Sequence, residues 1–119
     1  MKRTMIRPPF LAACLLAAML FSACDKLDLP KGTPSCIKAK IKAVDGKDIM
    51  ATPISVSRWE VDGKTYYYLQ SACCDQFNEL VDEDCNYICA PDGGFTGAGD
   101  GNCPVWTGQV ERTLIWEHD

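Results

Sequence analysis

The chain has 119 residues, with sixteen Asp and Glu against twelve Lys and Arg, eight cysteines and one histidine. This length allows one small domain. The acidic balance leaves no electrostatic footprint for nucleic acid, and the lone His118 cannot supply the oriented base that a hydrolytic triad requires.

Lys2, Arg3 and Arg7 open the chain, with no acid before residue 24. Residues 10–23 (FLAACLLAAMLFSA) follow as an apolar run ending in small residues. A basic start, a short apolar stretch and a small-residue cleavage site describe a secretory signal over residues 1–23. As a helix these fourteen residues reach only about 21 Å, short of the roughly 30 Å hydrocarbon core. Phe21-Ser22-Ala23-Cys24 resembles a bacterial lipobox. The resemblance implies cleavage before Cys24 and lipidation of its sulfur, so the membrane becomes a partner through that lipid. Several acyl chains on one cysteine give durable anchoring. The expected mature chain keeps all sixteen acids and nine bases, a net charge of −7.

Residues 24–35 contain two prolines, a glycine and four charges, and read as a tether. A single domain over 36–119 follows. Removing Cys14 (signal) and Cys24 (lipid) leaves Cys36, Cys73, Cys74, Cys85, Cys89 and Cys103. An even count beyond the cytoplasm predicts disulfides, with fifteen connectivities open.

Over residues 35–44 (SCIKAKIKAV), Ile37, Ile41 and Val44 recur at i, i+4 and i+7, which predicts an amphipathic helix. Ser35 is a candidate N-cap and Gly46 a stop. Residues 54–61 and 64–70 flank Asp62-Gly63, a strong hairpin signal. Trp59 and Val61 should share one face, and Tyr66 and Tyr68 should lie opposite Tyr67 and Leu69. Residues 75–80 suit one helical turn, with Phe77 and Leu80 inward. A short strand is expected at 86–90 and a last one at 114–116. Val105 and Trp106 are expected to cover the core. The fold class is α+β: a small disulfide-stapled domain, one N-terminal helix on a three- or four-stranded antiparallel sheet, with a glycine-rich loop at 92–102.

The stretch 73–103 concentrates cysteine, acid and glycine, so several chemistries deserve a test. The cysteine spacings lack CxxC, which disfavours zinc. Adjacent Cys73 and Cys74 could close a vicinal disulfide, a strained ring. If residues 73–74 are extended, the two side chains point to opposite faces and staple two different partners; a thiol–disulfide oxidoreductase is the competing reading. Asp82-x-Asp84-x-Asn86 copies the first three ligand positions of an EF-hand loop, but Tyr87 stands where glycine is needed and Gly93 where the bidentate Glu should be. With Asp92 and Asp100 these residues make a candidate calcium set, the only cofactor the sequence suggests. The glycine-rich segment lacks the lysine of a phosphate loop.

The strings WEVDGKTYYYL (59–69), CCDQFNELVD (73–82), NYICAPDGGFTGAGDGNCP (86–104) and LIWE (114–117) together resemble an uncharacterised family of small bacterial lipoproteins. The resemblance covers most of 36–117. It implies a cell-envelope domain, periplasmic or surface-exposed, with no assigned activity and no catalytic residue to carry over. The expected function is a non-catalytic binding or structural module, with a protein or saccharide partner and loop 92–102 as its contact surface. A calcium-stabilised binding module is the alternative, and the oxidoreductase a third.

Overall fold

A computed structural model describes residues 27–48 and 50–119. The expected signal over residues 1–23 and the expected lipidation site Cys24 lie outside these residues. One helix is followed by five strands: α1 (Ser35–Val44), β1 (Ser55–Val61), β2 (Lys64–Gln70), β3 (Phe77–Val81), β4 (Tyr87–Gly93) and β5 (Glu111–Glu117). The strands form one sheet in the order β4-β3-β2-β1-β5, and every neighbouring pair is antiparallel. Strands β1 to β4 make a meander. The chain then crosses back to set β5 on the free edge of β1. The expected α+β architecture is present, with one strand more than the upper count of four.

The helix forms where its periodicity places it. Ile37, Ile41 and Val44 are its buried residues. Pro34 occupies the N-cap position with extended backbone, so Ser35 is the first helical residue and gives no side-chain cap. Pro34 supplies its carbonyl to the Lys38 amide at 3.0 Å. Gly46, with φ +74°, turns the chain away just past the C-terminus.

The sheet is covered on both faces, and strand alternation decides which residue goes where. On the helix side, Ile37 and Ile41 pack with Val56, Tyr67, Leu69, Val81 and Ile115. On the other side, Trp59, Val61, Tyr66, Leu80 and Cys89 form a second core, against which Trp106 and Val110 pack. The hairpin register Val56↔Leu69 and Trp59↔Tyr66 keeps each pair on its own face. Asp62 (φ +51°) and Gly63 (φ +75°) make the turn, as the type I′ geometry demands.

Residues 77–81 correct the expected helical turn. Phe77 and Leu80 are three apart, which imitates a helix, but the segment is strand β3. Leu80 and Val81 are consecutive and both almost wholly buried, at 0% and 1% exposure. In a strand, consecutive residues are both buried when both faces of the sheet are covered. Val81 meets the helix-side core and Leu80 the opposite one. Phe77 stays 44% exposed. A pairing edge on β2 supplied the tertiary partner that the local pattern did not reveal.

Two disulfides join elements far apart in sequence. Cys36 of α1 meets Cys85 in the β3–β4 turn, 49 residues away, with Cα atoms 6.1 Å apart. Cys89 of β4 meets Cys103, 14 residues on, at 5.0 Å. On the loop-closure argument these contribute about 4 and about 3 kcal/mol.

Candidate functional site

The glycine-rich loop is built onto the outer edge of β4. Gly93 (φ +83°) and Gly99 (φ +80°) are the positions where glycine is required. A Cβ on Gly93 would come within 2.6 Å of the Gln76 carbonyl oxygen, and one on Gly99 would enter the Ala90 carbonyl oxygen. That close approach lets the chain fold back along the strand. Asp100 donates its amide to Ala90 O at 3.0 Å, Gly99 to Gly93 O at 3.0 Å, and Gly94 to Gln76 O at 2.9 Å. The loop thereby occupies backbone groups of an edge strand that would otherwise be open to pairing.

Two carboxylates pin this loop, one part-buried and one at the surface. Asp92 Oδ1 accepts from the Tyr68 hydroxyl at 2.7 Å and from Asn78 Nδ2 at 2.8 Å. Asn78 Oδ1 in turn accepts the Ser71 amide at 2.8 Å, which links the loop to the β2–β3 turn. Burial, with the acceptor Asp92 beside it, pushes the Tyr68 phenol well above its ordinary range. At the far end the Tyr87 hydroxyl donates to Asp100 Oδ2. That bond draws Asp100 down to about 2 and pushes Tyr87 up to about 12. Between these anchors Phe95 stands 90% exposed. The Phe77 ring lies against the backbone of Gly94, the residue before Phe95.

A second loop, residues 102–110, straps the aromatic face of the sheet. Trp106 meets Trp59 edge-on at 6.2 Å and Tyr66 at 5.9 Å. Trp59 stacks on Tyr68 at 4.9 Å, and the Arg112 guanidinium sits 4.5 Å from the Trp59 ring centroid. Trp59 and Tyr66 are therefore packed core residues, with no ring face free to act as a saccharide platform. Val105, expected over the core, is 95% exposed; Trp106 alone turns inward. The strap is gripped by Asp62, whose carboxylate accepts from Thr107 and Gly108. The sequence marks Asp62 as a turn residue, and nothing local signals this second task.

The residues considered for calcium are distributed over separate structures. Asp82 Oδ1 accepts the amides of Asp84 at 2.9 Å and Asn86 at 2.8 Å, and its Oδ2 accepts from Asn86 Nδ2 at 3.1 Å. This is the hydrogen bonding of an Asx-stabilised hairpin turn. It closes with Cys85 at φ +65°, the position usually taken by glycine in three-residue hairpin loops. These bonds, the Asn86 amide first, hold the Asp82 carboxyl below its usual range. Asp92 and Asp100 serve the glycine-rich loop. Among the described residues no three His, Cys, Asp or Glu side chains come together as a metal-holding group. His118 lies against the Trp116 ring at 4.9 Å, and its Nε2 has no hydrogen-bond partner among the described residues.

Cys73 and Cys74 lie in the turn at 71–76 with their sulfurs in contact, while the other four cysteines pair among themselves. The expectation that they staple opposite faces is overturned. The segment is a turn and not a strand, with Cys74 at φ +101°, so the alternation that would separate the two sulfurs is absent.

A comparison with protein families matches residues 42–118 to a domain of unknown function, DUF6970. The chain belongs to the DUF6970 family. The match spans the end of α1, all five strands, the glycine-rich loop and the strap. Cys36 stands before the matched DUF6970 residues, while its partner Cys85 stands within them. No curated protein and no solved structure matched.

Proposed function

We propose that this DUF6970 chain is a lipid-anchored module of the bacterial cell envelope that binds or braces a partner without catalysis, with loop 92–102 as its contact surface. The observation that carries this reading is the braced presentation of Phe95. A loop fixed at Asp92 and at Asp100 by tyrosine hydroxyls presents a 90% exposed aromatic ring. Ordering such a loop before contact lowers the entropy cost of binding. Aromatic residues commonly anchor protein interfaces. The lipobox-like sequence before Cys24 supplies the anchor; Leu27 and Leu29, expected in a free tether, instead pack on the helix-side core, so the domain would sit close to the lipidated cysteine.

The anchor is tested by feeding cells a clickable fatty acid. The chain should take up the label and pellet with membranes, and Cys24→Ala should abolish both. Label retained in Cys24→Ala would remove the anchor reading. The contact surface is tested by a photo-crosslinking residue placed at position 95 in intact cells, with one at position 38 as control. A discrete adduct from position 95 alone is expected. Identical patterns from both positions would defeat the loop assignment.

A further inference from the structure

The six cysteines of the described residues divide unevenly. Cys36–Cys85 and Cys89–Cys103 span 49 and 14 residues. With those four committed, Cys73 and Cys74 have only each other among the described residues. A bond between sequence neighbours closes no loop, so it removes almost no chain entropy from the unfolded state. It cannot act as a staple. Its placement differs too: Cys89 is fully buried, whereas Cys74 is exposed and Cys73 half-buried.

The turn that carries the pair has other supports. Ser71 donates its amide to Asn78 Oδ1 at 2.8 Å and its hydroxyl to Phe77 O at 2.6 Å. Thr52 Oγ1 reaches Gln76 Oε1 at 3.3 Å. The β2–β3 pairing runs from Tyr67↔Val81 to Leu69↔Glu79, beyond the turn. A sulfur–sulfur bond between them can therefore form or open while the hairpin around it persists.

We propose that Cys73 and Cys74 form a solvent-facing thiol–disulfide exchange site, reduced by an external dithiol independently of the two structural bridges. A thiolate of the dithiol attacks Cys74 Sγ, the exposed sulfur. The Cys73–Cys74 bond breaks, and Cys73 leaves as a thiolate and takes a proton. The second thiol of the donor then loses its proton and attacks the donor sulfur of the mixed disulfide. Cys74 leaves as a thiolate and is protonated. The pair gains two electrons and two protons, and the donor ends as a disulfide. This goes beyond the contact-surface reading and does not depend on it.

The test is a titration of the full chain, purified without reductant, with dithiothreitol, trapping thiols with iodoacetamide and mapping them by mass. Cys73 and Cys74 should label together at a reductant level roughly tenfold or more below that needed for the other four, because exposed disulfides are the labile ones. Oxidised glutathione should then restore the unlabelled pair. Simultaneous opening of all bridges would overturn the proposal. So would a bridge from either residue to Cys36, Cys85, Cys89 or Cys103, or labelling of both before any reductant. The doubly substituted Cys73→Ser, Cys74→Ser chain should fold and show the same titration of the remaining four; loss of its fold would make the pair structural and also overturn the site.

Discussion

Asp62 holds Thr107 through both carboxylate oxygens: Oδ2 accepts the Thr107 amide at 2.9 Å, and Oδ1 accepts its hydroxyl at 3.0 Å. The Gly108 amide adds a third bond to Oδ1 at 2.8 Å. One residue thus forms the β1–β2 turn and fastens the strap that lays Trp106 on the aromatic core. These bonds, the Thr107 amide first, hold the Asp62 carboxyl below its ordinary 3.8.

Asp62→Asn should keep the turn, since Asn tolerates positive φ, and release the strap, since a carboxamide offers one acceptor oxygen in place of two. The expected result is a melting temperature lower by several degrees, a changed tryptophan emission and faster proteolysis within 102–110. In the wild type the same release should follow acidification. A depressed carboxylate contributes stability above its unfolded value and loses it as pH falls through the folded one, so the strap should loosen only below about pH 4. An Asp62→Asn chain with wild-type emission and proteolysis would show that the grip is idle.

Leu80 and Phe77 distinguish a strand from a helical turn. Leu80→Ala should cost about 2–5 kcal/mol in urea unfolding, because it empties a site with no solvent exposure. Phe77→Ala, at a half-exposed position, should cost less than about 1.5 kcal/mol. Equal losses would mean that both side chains face one core.

Gly97 and Gly99 share the same backbone region, with φ +81° and +80°, yet should respond differently. A Cβ at Gly97 meets nothing within 4 Å. Gly97→Ala should therefore cost only the left-handed backbone penalty of about 1–2 kcal/mol. Gly99→Ala meets the Ala90 carbonyl and must lift the loop from β4. Hydrogen exchange at the Asp100 amide, bonded to Ala90 O, should rise sharply in Gly99→Ala and little in Gly97→Ala.

The Tyr87–Asp100 bond should give the loop a broad pH plateau. Asp100, drawn down from 3.8, contributes stability above pH 4 that is lost as pH falls toward 2. Tyr87, pushed up from 10.0, contributes stability below pH 10 that is lost as pH rises toward 12. Amide exchange at Asn102, corrected for its intrinsic rate, should stay level between these limits. Tyr87→Phe should raise the Asp100 titration toward its ordinary value, read by carboxyl NMR shifts.

Calcium should leave the thermal melt unchanged relative to chelator, because Asp82, Asp92 and Asp100 already accept hydrogen bonds at separate places. A ligand of the native state must raise stability. An upward shift with calcium would restore the calcium reading.

Much of the architecture was legible in local pattern. The helix bounds followed from Ile37, Ile41 and Val44, and the hairpin from Asp62-Gly63, because period and turn chemistry are properties of a few adjacent residues. Strand β3 was not legible, since a Phe77–Leu80 spacing satisfies a helix equally well until β2 offers an edge. The separation of the acids was also hidden: Asp82, Asp92 and Asp100 look like one set along the chain, but each is claimed by a different turn or tyrosine.

Composition, spacing and a lipobox-like start thus determined by themselves the domain class, the helix, the first hairpin and the expectation of bridged cysteines. Only the tertiary structure decided which cysteines meet, that Cys73 and Cys74 are left to each other, and that Asp62 reaches Thr107. The physical reason is range. Backbone propensity acts over a few residues, whereas a disulfide partner or a carboxylate's donors are set by which distant surfaces the packed sheet brings together.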